Sequence, residues 1–88
     1  MLKQQVAFLD QLAAGARAIV SELRGGKGFA SRLAGMGISV GCQIEVLQNP
    51  AYGPLLVLVR DTRIALGRGE ASKILVRESE RGQPDAAE

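Results

Sequence analysis

Short runs rich in Val, Ile and Leu recur along the chain and are separated by turn residues, a pattern typical of β-strands. β-branched residues lie at the centre of segment 17–23, and polar and apolar positions alternate in 43–48. Residues 55–59 are apolar throughout, which indicates a strand covered on both sides, by the fold or by a partner. Segments 63–66 and 74–77 complete a set of five predicted strands.

One segment has the spacing of a helix. Phe29, Leu33 and Met36 fall on one helical face and predict a helix of about two turns. Gly37 is placed to adopt the left-handed conformation just past its end. Ile38 would then fold back onto Leu33, the apolar contact that accompanies this type of helix end.

Three further segments are predicted with less definite structure. Residues 2–13 fit a helix, or a short strand followed by one turn. The glycine-rich stretch 25–28 predicts a loop, and 67–73 predicts a loop or a single helical turn. Residues 60–63 predict a tight connection between strands, although Thr62 is not the glycine that favours a two-residue hairpin loop.

Together these elements predict an all-β fold, a small five-stranded barrel with one short helix. Closure of a barrel would remove exposed sheet edges, which a chain of 88 residues could not otherwise cover. The chain is 47% hydrophobic but only 3% aromatic, so its core must be aliphatic. Residues 1–78 form the predicted domain, and the polar residues 79–88 form a predicted disordered acidic tail.

Cysteine usage and the N-terminal residues predict a cytoplasmic protein. Cys42 is the one cysteine, so no intramolecular disulfide can form, which fits a reducing compartment. The first residues lack the pattern of a signal peptide, and the longest apolar run, 55–59, is far too short to cross a bilayer. Cys42 itself is predicted to be a small apolar filler, with a reactive or metal-binding thiol as the alternative.

Charge is distributed unevenly along the chain. Residues 17–77 carry nine basic and four acidic side chains, whereas 78–88 carry one basic and four acidic ones. A basic body of this kind can bind nucleic acid, an acidic protein face or anionic lipid, or can simply be a solvated surface.

Few residues could support catalysis or bind a cofactor. The chain has no histidine, which removes the commonest general base and metal ligand. The stretch 25–28 lacks the glycine spacing of a phosphate-binding loop, and Glu22 and Glu45 alternate with apolar residues instead of facing each other across a cleft. We therefore predict no enzymatic activity, no cofactor and no metal site. Nucleic-acid binding is not expected, because base stacking needs more aromatic residues than Phe8, Phe29 and Tyr52.

A protein-binding surface remains as the predicted functional feature. Tyr52 lies on a turn bounded by Pro and Gly, where it could anchor an interface or pack over its own hairpin. The basic residues Arg24, Lys27 and Arg32 are the other candidate contacts. The apolar strand 55–59 could also serve a homodimer.

Residues 28–41 resemble a known signature, Arg-Leu-x-x-Leu/Met-Gly-Ile-x-x-Gly, of FeoA-like domains. The flanking segments 9–15, 53–66 and 70–76 follow in the order seen in that family, so the resemblance covers roughly residues 8–77. Two positions depart from the family pattern: Val40 stands where proline is common, and a glycine is common near Thr62.

The resemblance implies an SH3-like barrel and a role in ferrous iron uptake. It implies a small non-catalytic protein of the cytoplasm that associates with the inner membrane through its partner, without inserting into it. That partner is FeoB, a membrane permease with a cytosolic GTP-binding domain. Transition-metal binding is often attributed to the family, but this chain has no evident ligand cluster. The alternative function is a regulatory module that binds Fe(II) or another divalent metal. A barrel that binds nucleic acid is a third function, with less support than the metal-binding module.

Overall fold

The structure, a computed structural model, describes residues 5–79. Its six strands are β1 (Gln5–Phe8), β2 (Arg17–Leu23), β3 (Gln43–Gln48), β4 (Leu55–Val59), β5 (Thr62–Leu66) and β6 (Ile74–Glu78). A 3-10 turn, Leu9–Gln11, follows β1, and two helices are present, α1 (Gly26–Gly35) and α2 (Arg68–Ala71). The predicted acidic tail lies, from residue 80 onward, outside the described residues.

All described strands belong to one antiparallel sheet in the order β1-β6-β2-β3-β4-β5. The predicted all-β class is confirmed, with α1 as the predicted helix and α2 as the single helical turn predicted within 67–73. The count of five strands is wrong, because residues 5–11 adopt the short strand and turn predicted there as an alternative, which adds β1 as a sixth strand. Its partner β6 lies about seventy residues away, with Val6 opposite Arg77, so nothing near 5–8 marks this segment as paired. The predicted closure is not made by these ladders, since β1 and β5 are the end strands of the order.

The core is aliphatic, as the composition predicts. Buried Leu, Ile, Val and Ala side chains form one cluster on the inner face of the sheet, with Phe29 as the aromatic member. Strand β4 alternates strictly: Leu55, Val57 and Val59 are buried, while Leu56 and Leu58 are half-buried on the outer face. The strand is therefore fully covered on only one of its two apolar faces.

Helix α1 confirms its predicted C-terminus and corrects its N-terminus. Gly37 has φ of +94°, and the Ile38 amide donates to the Leu33 carbonyl at 2.9 Å, which is the predicted left-handed helix end. The helix begins at Gly26, three residues earlier than predicted. Gly25 and Gly26 permit this early start, because Phe29 packs directly against the Cα of Gly25, where a side chain would collide with the ring.

The hairpin between β4 and β5 is one residue tighter than predicted. Val59 pairs with Thr62, so Arg60 and Asp61 form the two-residue loop, and both have positive φ, 51° and 68°. This is the backbone conformation that Asn-Gly or Gly-Gly usually supplies, because left-handed torsions crowd a Cβ atom.

Within residues 5–79 no helix is long and apolar enough to cross a bilayer.

Candidate protein-binding surface

The residues that the sequence singles out lie around the short helix α2, in the connection between β5 and β6. This connection leaves the end of β5, which lies beside the start of β4 and near the end of β3. It leads to the start of β6, which lies beside the ends of β1 and β2. We call this region, with the start of α1 and the loop between β3 and β4, the α2 end.

Arg24 leaves β2 at the α2 end. Its amide donates to the Lys73 carbonyl at 2.8 Å, which holds the start of the α1 connection against the start of β6. Its guanidinium pairs with Glu22, Nε to Oε2 at 3.2 Å, and lies 5.7 Å from the centre of the Phe8 ring. Because this ion pair is exposed, it adds little to stability, and the guanidinium remains accessible to a partner.

Arg32 joins the two helices. Its Nη2 lies 3.0 Å from Oε2 of Glu70 on α2. The ring of Phe29 lies beneath two cations, with Arg32 and Lys73 both 5.7 Å from its centre. Lys27 is exposed on the first turn of α1. Among the described residues, no acidic side chain lies within ion-pair distance of Lys27 or Lys73.

Tyr52 lies on the other side of α2 and is 89% exposed. The alternative that it packs over its own hairpin is therefore wrong. Arg68, two residues before Glu70 on α2, donates through Nε to the Gly53 carbonyl at 3.1 Å. Since α2 is only about 6 Å long, the structure brings the Tyr52 turn and the Arg32 side chain to the two flanks of one short helix.

Several residues of this end were not predicted from the sequence. Glu70 both accepts from Arg32 and, through Oε1, accepts from the Gly67 amide at 3.2 Å. Arg68 and Asn49 fasten the Tyr52 turn, with Nη2 of Arg68 2.7 Å from Oδ1 of Asn49. An arginine between two glycines carries no local signal of this role, because its partners are 15 to 19 residues away.

A separate open cleft of about 430 Å³ lies beside β2, β3 and β4. Its lining includes Cys42, Leu58, Arg17, Arg60, Glu45 and Asp61. Cys42 is half-buried and packs against the core, which agrees with its prediction as an apolar filler. The basic and acidic side chains balance here, so the cleft has no single charge sign, and none of the predicted contact residues lines it.

A metal site has no support among the described residues. Nowhere in residues 5–79 do three His, Cys, Asp or Glu side chains come together in an arrangement that could hold a metal ion. Leu56 and Leu58 leave an apolar strip on the outer face of β4, and the homodimer through this strand stays a prediction.

Comparisons with known proteins agree with one another. A sequence model described as the FeoA domain matches residues 8–78. A Methanocaldococcus jannaschii protein whose assigned name is Fe(2+) transport protein A is 38% identical over 68 residues, covering 77% of this chain and 82% of that one.

Solved structures agree with the sequence matches. The crystal structure of an iron uptake regulatory protein, FeoA, superposes with a TM-score of 0.79 at 32% identity and covers 85% of this chain and 99% of that one. A manganese-dependent transcriptional repressor superposes with a TM-score of 0.77 over 90% of this chain and 45% of its own. At 20% identity the repressor shows a shared fold alone.

Proposed function

The chain belongs to the FeoA family, and on that premise we propose that it is a non-catalytic accessory of ferrous iron uptake. In this role it binds the cytosolic part of a FeoB-type permease, which carries the GTP-binding domain, and modulates transport. The family match and the Fe(2+) transport name of its relative support the link to iron. The surface chemistry of the α2 end supports action by protein binding.

The observation that carries the proposal is the gathering of the candidate contacts around helix α2. Arg24, Lys27 and Arg32 present positive charge there, and Tyr52 presents an exposed aromatic ring across α2. Arg and Tyr are, with Trp, the residue types enriched at the energetic centres of protein interfaces. A cationic surface with an adjoining aromatic fits a partner face that is acidic beside an apolar depression.

A binding experiment with a matched control tests this assignment. The full chain is titrated against the full-length permease in lipid nanodiscs at low ionic strength. We expect the triple variant Arg24→Glu, Lys27→Glu and Arg32→Glu to lose binding, because three attractive contacts become repulsive. The control makes the same change at three exposed arginines outside the α2 end, Arg17, Arg60 and Arg63, and should bind as the wild type does.

Each outcome has a distinct meaning. Equal losses in both triple variants would show that only total charge matters, and unchanged binding in the first would remove the α2 end from the interface. If the wild-type chain does not bind the permease, the accessory role itself fails. Where binding is seen, the rate of GTP hydrolysis with and without the chain measures whether the contact modulates the permease.

A further inference from the structure

The turn between β3 and β4 displays an aromatic side chain almost entirely to solvent. Tyr52 is 89% exposed, more than Val40 at 62% and Val6 at 57%. Single exposed apolar residues are common on protein surfaces. What distinguishes Tyr52 is the way its backbone is held.

A single guanidinium holds both ends of this turn. Arg68 Nε donates to the Gly53 carbonyl at 3.1 Å, and its Nη2 donates to Asn49 Oδ1 at 2.7 Å and to the Pro50 carbonyl. Arginine can do this because its donors form a rigid planar fork, which lysine lacks. The carbonyls on either side of Tyr52 are thus tied to one side chain of α2.

Asn49 fastens the same turn to a second element. Its Nδ2 donates to the Asp10 carbonyl at 3.0 Å and to the Leu12 carbonyl at 2.7 Å, at the end of the 3-10 turn after β1. The turn is therefore fixed from two directions while its aromatic side chain remains in water. Ordering a loop before binding lowers the entropy cost of association.

Apart from Arg68, whose guanidinium is bonded to the turn, the segments that Asn49 joins carry no charge. No charged residue occurs in 11–16 or in 49–54, and Ala13, Ala14, Ala51 and Pro54 are exposed. Interface centres are depleted in charge and enriched in tyrosine. On the α2 side, by contrast, Arg32 begins the basic surface described above.

We propose that the turn 49–54 is a preformed anchor that inserts the Tyr52 ring into an apolar pocket of a protein partner, and that Arg68 is the positioning residue that keeps it preformed. The identity of the partner as the FeoB-type permease rests on the proposed function. The pocket on that partner is apolar where it receives the ring and acidic where it meets Arg32.

The first test needs no partner. Tyr52 is the one tyrosine and the chain has no tryptophan, so intrinsic fluorescence reports on this turn alone. In time-resolved fluorescence anisotropy, the fast component of the Tyr52 decay should have a larger amplitude in Arg68→Ala than in the wild type. Arg68→Lys keeps the charge but not the fork, and should gain part of that amplitude. Arg32→Ala removes the bond to Glu70 and the contact with the Phe29 ring but no bond to the turn, and it should not change that amplitude.

Circular dichroism establishes that each variant is folded. If Arg68→Ala does not fold, Arg68→Lys carries the comparison. An unchanged fast amplitude in the folded Arg68 variant would overturn the positioning role.

The second test is a double-mutant cycle on affinity for the full-length permease. Tyr52→Ala should lower affinity about thirty-fold, the loss expected of an interface anchor. Arg68→Ala should lower it about five-fold in the wild type and hardly at all in the Tyr52→Ala background, because it acts through the turn. Equal losses in both backgrounds would overturn the positioning role by showing that Arg68 acts independently of Tyr52.

The two proposals fail in different ways. Wild-type binding with no effect of Tyr52→Ala would overturn the anchor and leave the accessory role standing. No wild-type binding would overturn the permease assignment and, with it, the pocket inferred on that partner.

Discussion

A Cβ atom at Gly25 would lie 2.4 Å from Cγ of Phe29. The start of helix α1 therefore depends on close packing between its buried aromatic residue, Phe29, and a residue without a side chain. Phe29 is 6% exposed and belongs to the core, so its ring cannot simply turn aside. This contact explains one of the glycines in a stretch that resembles a phosphate-binding loop only in composition.

Substituting Gly25 should destabilise the fold. We expect Gly25→Ala to lower the free energy of unfolding by about 1–3 kcal/mol, the range for overpacking a filled site. Gly28→Ala on the same helix is the control. Apart from its chain neighbours and the backbone of α1 itself, no atom lies within 4 Å of the new Cβ, and alanine favours helix, so that variant should be neutral or stabilised by up to about 1 kcal/mol. Urea denaturation measures both, and equal effects would contradict the packing explanation.

Substitutions in the hairpin loop between β4 and β5 should be able to stabilise the fold. Arg60 and Asp61 both adopt positive φ, which costs residues with a Cβ atom. Replacing the pair by Asn-Gly should raise the free energy of unfolding by about 1–2 kcal/mol. Asp61→Ala alters the side chain without relieving the backbone and should bring no gain. An equal rise in melting temperature for both variants would show that relief of backbone strain is not the cause of the stabilisation.

Asn49 should be more important for stability than its position in a surface turn indicates. Its amide satisfies the Asp10 and Leu12 carbonyls in a half-buried setting and accepts from Arg68. Asn49→Ala leaves these groups without their partner and should cost about 1–3 kcal/mol. Gln48→Ala, at an exposed neighbouring position, should change stability by less than about 0.5 kcal/mol. Similar urea midpoints for the two variants would contradict the role of the Asn49 bonds.

The ion pair between Arg32 and Glu70 should affect binding more than folding. The Arg32 side chain is 57% exposed and that of Glu70 is 29% exposed, so solvent screens the attraction. Arg32→Ala should lower stability by no more than about 1 kcal/mol. Its affinity for the permease should fall measurably at low salt, and the difference from wild type should shrink as salt rises. A stability loss several times larger would show that the pair is structural.

The sequence by itself determined the bounds of several strands and the end of helix α1, because both depend on local patterns. The bounds of β2, β3 and β4 match the predicted segments residue for residue, because hydrophobic alternation and flanking turn residues are properties of neighbouring positions. The cap at Gly37 and Ile38 follows in the same way from residues within one helical turn. The family signature, within residues 28–41, includes this helix end.

Only the tertiary structure decided how the binding surface is assembled. Arg32 and Glu70 are 38 positions apart, and Arg68 reaches residues 15 to 19 positions before it. Strand β1 likewise pairs with β6, which lies near the other end of the described sequence. Hydrogen bonds between distant residues depend on where the sheet places each element and leave no periodicity in the sequence. The four candidate contacts could thus be named from residue type, but α2 as the element between them could not.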